Sequence, residues 1–278
     1  MIANCILLTS KDNSLFFPNL AGIVFFLLTL FWPTFSVHAS PQENPSQSKG
    51  RLIYEQYCSI CHGIKGDGKG AVAILFQSSP RSFIQGKYKI KSTPPGYPPL
   101  DADLIKSVKF GLPGTAMTPQ PHLSDQEIRS VVSYIKDFSS RFSQSKTKKP
   151  LTIPPAPLAS KERVTQGAEI YQRHCVSCHG QEGKGDGKLG ENLSSKPSNL
   201  TFRPFKGGST PKDIVRILLT GIESTAMDSY QFVIEDEDLW NLAYYIDSLG
   251  GEPRQTEDER KGKAIIDGLQ LQQNKEKS

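Results

Sequence analysis

No stretch of this 278-residue chain reaches the ~20 consecutive apolar positions that a helix needs to cross a bilayer; the longest, Leu20 to Phe31, has twelve. There is no sustained alternation of apolar and polar positions, which argues against β-sheet. The net charge of +5 comes without a dense basic stripe or interleaved aromatics, so nucleic acid is not an expected partner. Sulfur is scarce, with five Cys and three Met in all. What remains, 37% apolar and 22% charged residues, describes a globular chain, neither disordered nor polytopic. The length leaves room for two domains of ~100–150 residues.

The twelve-residue run is followed by Trp32-Pro33 and then Val37-His38-Ala39. An apolar core of that length, a breaker and small residues before a cut after Ala39 are the pattern of a secretory signal. Residues 1–39 are therefore expected to be a signal peptide, or, if retained, an anchor giving the only membrane contact. The segment before the run is long and carries only Lys11, opposed by Asp12. In both cases the rest of the chain is exported, and the expected location is periplasmic.

Beyond residue 39 the chain is written twice. Gly50 to Gly63 (GRLIYEQYCSICHG) matches Gly167 to Gly180 (GAEIYQRHCVSCHG) without a gap, at a shift of 117 that persists to Pro80 and Pro197. After a seven-residue deletion in the second copy, Asp103 to Met117 aligns with Asp213 to Met227, and Leu123 to Phe138 with Ile234 to Leu249. The expected organisation is a first domain at 40–140, a Pro/Lys/Ser-rich linker at 141–160, a second domain at 161–250 and a polar tail at 251–278. The linker should be extended and semi-rigid, and the Gln/Glu/Lys-rich tail mobile or weakly helical. Within each copy the periodicity is helical: Val131, Val132, Tyr134, Ile135 and Phe138 share one face. Ser124 with Glu127 predicts a capping box opening that helix, and Asp236 predicts a cap for its counterpart.

Cys58-x-x-Cys61-His62 and Cys175-x-x-Cys178-His179 are the chemistry-bearing residues. A Cys pair at this spacing reaches two vinyl groups across one porphyrin face, and the His that follows places its imidazole under the iron; this is the c-type haem attachment pattern. Paired disulfides would explain the four Cys in an exported chain but neither His. Zinc sites gather their ligands within tens of residues, whereas these pairs lie 117 apart. A thioredoxin-like pair would need a βαβ setting. Two covalently attached haem c groups are the expectation, bound by Cys58, Cys61, His62, Cys175, Cys178 and His179.

The far side of each iron follows by elimination. Past residue 39 the only Met residues are Met117 and Met227; each closes a Thr-Ala-Met triplet, 55 residues after His62 and 48 after His179. Met ordinarily fills cores, but two in one slot of a repeat match the Met/His pairing of haem iron. The expected iron ligands are thus His62, Met117, His179 and Met227. His122 is the rival near Met117 but has no counterpart in the second copy, and His174 abuts Cys175 too closely to reach the opposite face. Gly50 and Gly167 fall in predicted helices, where Gly costs about 1 kcal/mol against Ala unless helices cross closely there. Tyr54/Tyr171 and Tyr134/Tyr245 are read as core packing, with partnership at that crossing as the alternative. The Gly/Lys/Asp loops after each His lack the strand and the G-K-[ST] ending of a phosphate loop, and are read as turns.

CSICHG, CVSCHG, the glycine loops, and GTAM or STAM followed by a C-terminal helix resemble the class I cytochromes c, specifically the tandem dihaem type. The likeness covers about residues 48–138 and 164–249; the repeats also look like the haem domains of the dihaem subunit of certain haem-copper oxidases. The resemblance implies an all-α fold of two small helical bundles, with N- and C-terminal helices crossing near each haem. It also implies a proline carbonyl that orients the proximal His, a role falling to Pro80 and Pro197. The second copy departs from it by lacking proline in the loop before Met227 (Gly221-Ile222-Glu223 against Gly111-Leu112-Pro113).

With His and Met on both irons there is no open position, so the expected function is one-electron transfer between respiratory-type redox partners, not catalysis. The alternatives are an electron-transfer subunit fixed in a membrane oxidase or dehydrogenase complex and a dihaem peroxidase; the paired Met residues argue against the latter. Residues 40–140 hold 12 Lys/Arg against 8 Asp/Glu, and residues 161–249 hold 10 against 13. Beside the plain reading of solvated surface, this asymmetry suggests that donor and acceptor proteins of opposite charge dock on the two copies.

Overall fold

In the computed structural model, which describes residues 45–146, 149–251 and 256–276, the first repeat runs α1 (Pro45–Ile53), a π turn (Tyr54–Cys58), α2 (Ser59–His62), a 3-10 turn (Ala73–Leu75), α3 (Asp101–Phe110), α4 (Asp125–Asp137) and α5 (Arg141–Gln144). The second runs α6 (Lys161–His174), α7 (Val176–His179), a 3-10 turn (Lys188–Asn192), α8 (Pro211–Thr220) and α9 (Asp236–Ser248), and α10 (Glu257–Glu276) follows. The fold is all-α, and no strand forms among the described residues. The expected signal segment 1–39 lies outside them.

Each repeat is built on a helix crossing at a glycine. Gly50 of α1 lies against the Ser130 carbonyl of α4, and Gly167 of α6 against the Asn241 carbonyl of α9, with no room at either for a Cβ. The helix-propensity cost of Gly is offset by backbone-to-backbone packing that no other residue permits. Tyr54 and Tyr171 fill the space beside the crossing, fully buried, their rings 5.4 and 5.2 Å from those of Tyr134 and Tyr245. Ile128, Val131, Val132 and Ile135 of α4 face the first core, and Leu239, Leu242, Ala243 and Ile246 of α9 the second.

The helix starts follow from their first residues. Ser124 accepts from the Glu127 amide while the Glu127 carboxylate accepts from the Ser124 amide, the expected capping box. Thr210 and Asp213 make the same box at α8, with Pro211 in the first turn. The expected cap at Asp236 is not what forms. Glu235 occupies the cap position without a side-chain bond, and Asp236, Glu237 and Asp238 fill the first turn, where their charge complements the helix dipole.

Two connecting segments differ from expectation. Residues 150–160 are extended, but they are fastened to the protein along their length rather than spanning a gap. Leu151 donates to the Ser92 carbonyl at 2.8 Å, Trp240 Nε1 to that of Pro154 at 3.2 Å and Tyr244 to that of Pro157 at 2.6 Å. Phe142 of α5 is buried in the first core, which therefore reaches past residue 140.

The tail expected to be mobile or weakly helical is the 20-residue helix α10, seated on the first repeat. Asp258, Gly262 and Ile266, four apart, form its buried stripe. Its low apolar content hid it, because this helix docks largely through polar contacts: Asp258 accepts from the Gln77 and Ser78 amides, both at 3.2 Å, and Glu259 accepts from the Gly114 amide.

Candidate haem sites

His62 and His179 end the one-turn helices α2 and α7, which carry the second Cys of each pair. The loop that follows is pinned to those residues by its glycine amides. Gly68 donates to the His62 carbonyl and Gly185 to that of His179, both at 2.8 Å; Gly70 and Gly187 donate to Cys61 and Cys178. Tyr54 and Tyr171 hydroxyls donate to the Gly63 and Gly180 carbonyls at 2.6 and 2.8 Å. These tyrosines thus serve both the helix crossing and the residue directly after each His.

Each imidazole is oriented by a backbone carbonyl. Nδ1 of His62 donates to Arg81 O at 2.9 Å, and Nδ1 of His179 to Ser198 O at 3.0 Å. A carbonyl only accepts, so the proton sits on Nδ1 and the Nε2 lone pair is left for a metal. The expected proline carbonyls are one residue off. Pro80 O and Pro197 O instead lie against Gly68 and Gly185, so the proline packs on the loop and the next residue turns its carbonyl toward the ring. Burial lowers both imidazoles below their ordinary range, favouring the neutral ring a metal requires.

The four thiols are free, and burial pushes Cys58 and Cys175 up to about 12 and Cys61 to about 11. The described residues hold no His/Cys/Asp/Glu cluster suited to a bare metal ion. Two thiols beside one imidazole are the donor set that the c-type haem attachment pattern calls for.

Met117 and Met227 are held by identical clamps. The Thr115 and Thr225 hydroxyls each accept from the Met amide at 3.1 Å and donate at 2.7 Å to Leu112 O and Ile222 O. The Leu112 and Ile222 amides donate to the Met carbonyls. The Thr of the Thr-Ala-Met triplet therefore sets the position of the Met backbone.

In the second repeat the structure brings all the predicted residues together. A cavity of about 340 Å³ is lined by Cys175, Cys178, His179 and Met227, together with Leu200, Phe205, Ile214 and Leu218, within the ~300–1,000 Å³ of cofactor sites. In the first repeat Cys58 and Met117 pack against one core, and the His62 ring stacks on Phe83 at 4.5 Å. His122 is engaged elsewhere, its Nδ1 accepting from Gln270 of α10 at 2.7 Å. His174 lines the second cavity beside Cys175.

Sequence reasoning missed the contacts between repeats. Glu223, standing where the first copy has Pro113, pairs with Lys91 at 3.2 Å and accepts from the Tyr88 amide at 3.3 Å. The Lys91 side chain is fully buried and also donates to Pro94 O and Tyr97 O. The only signal was the departure of Glu223 from the repeat.

All-α packing with the same Cys-pair, His and Met set laid down twice defines the class: a duplicated helical protein with two c-type haem attachment motifs. A sequence profile of the family described as cytochrome c oxidase, cbb3-type, subunit III matches residues 45–135 and 162–246, one window per repeat. The chain belongs to this family. Relatives include the cbb3-type cytochrome c oxidase subunit FixP of Bradyrhizobium sp. (strain ORS 278), 24% identical over 74% of this chain and 62% of its own length. The CcoP subunit of Rhodobacter capsulatus is 25% identical over 74% of this chain and 63% of its own. The chain thus spans somewhat under two thirds of these relatives. A chain in the Kuenenia stuttgartiensis reducing HAO-like protein complex is 31% identical, with a TM-score of 0.71 over 75% of this chain and all of that one.

Proposed function

We propose that the chain is a dihaem, His/Met-ligated c-type cytochrome that passes single electrons as a fixed, non-catalytic subunit of a larger redox complex on the exported side of the membrane. Each repeat is one haem unit of the class I cytochrome c type, centred on 40–140 and 161–250. Cys58 and Cys61, and Cys175 and Cys178, would anchor the two haems; His62 with Met117, and His179 with Met227, would supply the iron ligands. The observation that carries this reading is the second cavity, where both Cys, the His with its Nδ1 committed to a carbonyl, and the Met line one largely apolar space. Haem bound there supplies an Fe(III)/Fe(II) couple, whose potential Met ligation and burial raise. The protein holds the iron ligands rigid and keeps water out, so that little reorganises when charge changes.

The relatives favour a fixed subunit over the freely diffusing carrier that the sequence suggested first, since the curated ones are oxidase subunits and the structural one is part of a complex. A specific observation supports a second reading of the partner. The alignment takes in the whole of the chain from the HAO-like complex but under two thirds of the length of the oxidase subunits. An HAO-like oxidoreductase is therefore the alternative partner to a membrane oxidase.

Pyridine haemochrome analysis and intact mass of the exported protein should give two haems per chain, and a redox titration two one-electron steps. A polypeptide without added porphyrin mass would overturn the proposal. Rapid binding of peroxide to the resting protein would instead favour the peroxidase. Fractionation and pull-down of the native protein should recover a large redox complex; a monomer free of partners would restore the diffusing carrier.

A further inference from the structure

The cavity at Cys175, Cys178, His179 and Met227 is walled partly by the other repeat, through Lys89, Ile90, Pro113 and Gly114. Its lining includes four cationic side chains, Lys89, Lys196, Arg203 and Lys206, and no aspartate or glutamate. Two of the four are engaged by the protein itself. Arg203 donates to Leu200 O, Phe202 O and Ile246 O, and Lys196 to Glu191 O. Lys89 reaches only the Ser195 hydroxyl, at 3.4 Å, and neither Lys89 nor Lys206 forms an ion pair among the described residues. Asp258 acts on Lys206 from beyond ion-pair distance, its oxygens already receiving the Gln77 and Ser78 amides.

Lys89 and Lys206 are the same slot of the repeat. The shift of 117 carries Lys89 onto Lys206, Ser92 onto Ser209 and Thr93 onto Thr210. The fold brings these two equivalent lysines to one seam, where burial lowers both ammonium groups and Lys206 lowers Lys89 further. Two half-buried like charges with no carboxylate within ion-pair distance among the described residues oppose folding. Negative charge brought into the cavity would offset both ammonium groups, and a haem brings two propionate carboxylates.

We propose that Lys89 and Lys206 hold the carboxylates of the haem anchored at Cys175 and Cys178, so that the first repeat completes the haem site of the second. The inference rests on the dihaem reading and adds to it a cation supplied across the seam. Positive charge beside the ring disfavours Fe(III), which carries one more charge than Fe(II), and so raises the potential of that haem.

The test uses the full-length, haem-loaded chain and its variants K89Q, K206Q and K89R. Haem content is measured first: absence of haem at Cys175/Cys178 in the parent protein would refute the dihaem reading itself. With haem present, K89Q and K206Q should each shift the reduction equilibrium of the second haem about tenfold toward Fe(III), about 59 mV for one electron, and perturb the propionate bending bands in its resonance Raman spectrum. K89R should retain the parent values, and the first haem should move less in K89Q than the second. Unchanged bands and potentials in both glutamine variants would overturn the proposal. Inorganic phosphate provides the remaining arm: it should leave the parent potential unchanged, whereas a saturable phosphate shift abolished by K89Q would show that the lysines bind a free anion. If one glutamine variant fails to load haem, the other decides the matter, unchanged bands and potential in it overturning the proposal.

Discussion

The two Met loops share a backbone and differ in what covers them. In Gly111–Met117 and Gly221–Met227 the same threonine bonds clamp the Met, and the fourth position takes a positive φ in both, as Gly114 at 75° and as Ser224 at 63°. Outside that clamp the loops part company. The first is overlaid by α10, with Glu259 on the Gly114 amide and Gly262 against the Ala116 carbonyl. The second is plugged into the first repeat by Glu223, whose carboxylate meets the buried Lys91 and, at 3.7 Å, Arg141. Duplication preserved the geometry that presents the Met; the two copies then became dependent on different parts of the chain. A fault in α10 should be felt at the first site, and a fault at the seam at the second.

The largest effect should come from the proposed ligands. Met227→Ala and Met117→Ala should each lower the potential of their own haem by on the order of 0.1 V or more, given the range that axial ligands command. Each should also open that iron to small ligands, leaving the other haem unchanged; spectroelectrochemistry with added cyanide resolves the two. Equal changes at both haems in either variant would break the comparison.

Next in size is the seam. Glu223→Ala leaves the Lys91 ammonium buried without its carboxylate and should cost about 3–5 kcal/mol in denaturant unfolding. Pairing it with Lys91→Met should recover most of that loss, because a well-packed apolar pair avoids the desolvation of two charges. An unaltered stability in the single variant would show that the seam is not a fixed interface. A smaller effect is expected at the first loop. Glu259→Ala removes the acceptor for the Gly114 and Thr256 amides and should cost about 1 kcal/mol, perturbing the Met band of the first haem alone.

The smallest contrast is in pH. Hydrogen bonds from the Ser124 amide and hydroxyl hold the Glu127 carboxyl below its ordinary value of 4.5. A carboxyl depressed in the folded state contributes stability above its unfolded pKa and loses it as pH falls through the lower folded value. The start of α4 should therefore fray as pH drops below about 4.5, and Glu127→Gln should remove the capping-box part of that dependence, leaving the part from Asp125, which the Lys109 ammonium also holds low. The start of α9 has no such bond and should lack this capping-box component, its first-turn carboxylates losing only their interaction with the helix dipole as they protonate. Amide exchange in the first turns of the two helices measures the difference.

Much of each site was legible because its signals are local or repeated. The Cys-x-x-Cys-His spacing, the Thr-Ala-Met triplets, the Ser124 box and the crossing glycines all lie within a few residues or recur at one shift. The acceptors for His62 and His179 were placed one residue early. Every residue carries a carbonyl, and which one turns toward a ring depends on loop geometry rather than residue type. The tail was misjudged for a related reason: α10 docks through Asp258, Glu259, Gln270 and His122, polar residues that composition assigns to solvent. Glu223 and Lys91 lie 132 residues apart and read separately as surface charges.

By itself the sequence determined that the chain is a duplicated all-α protein with two covalent-haem motifs and one candidate Met for each, because covalent spacing and helical periodicity are properties of neighbouring residues. Only the tertiary structure decided how the copies meet, that Lys89 of one repeat lines the cavity of the other, and that α10 covers the first Met loop. Those contacts join residues a hundred or more positions apart, and their free energy arises from desolvating charge at a seam that exists only once both repeats have folded.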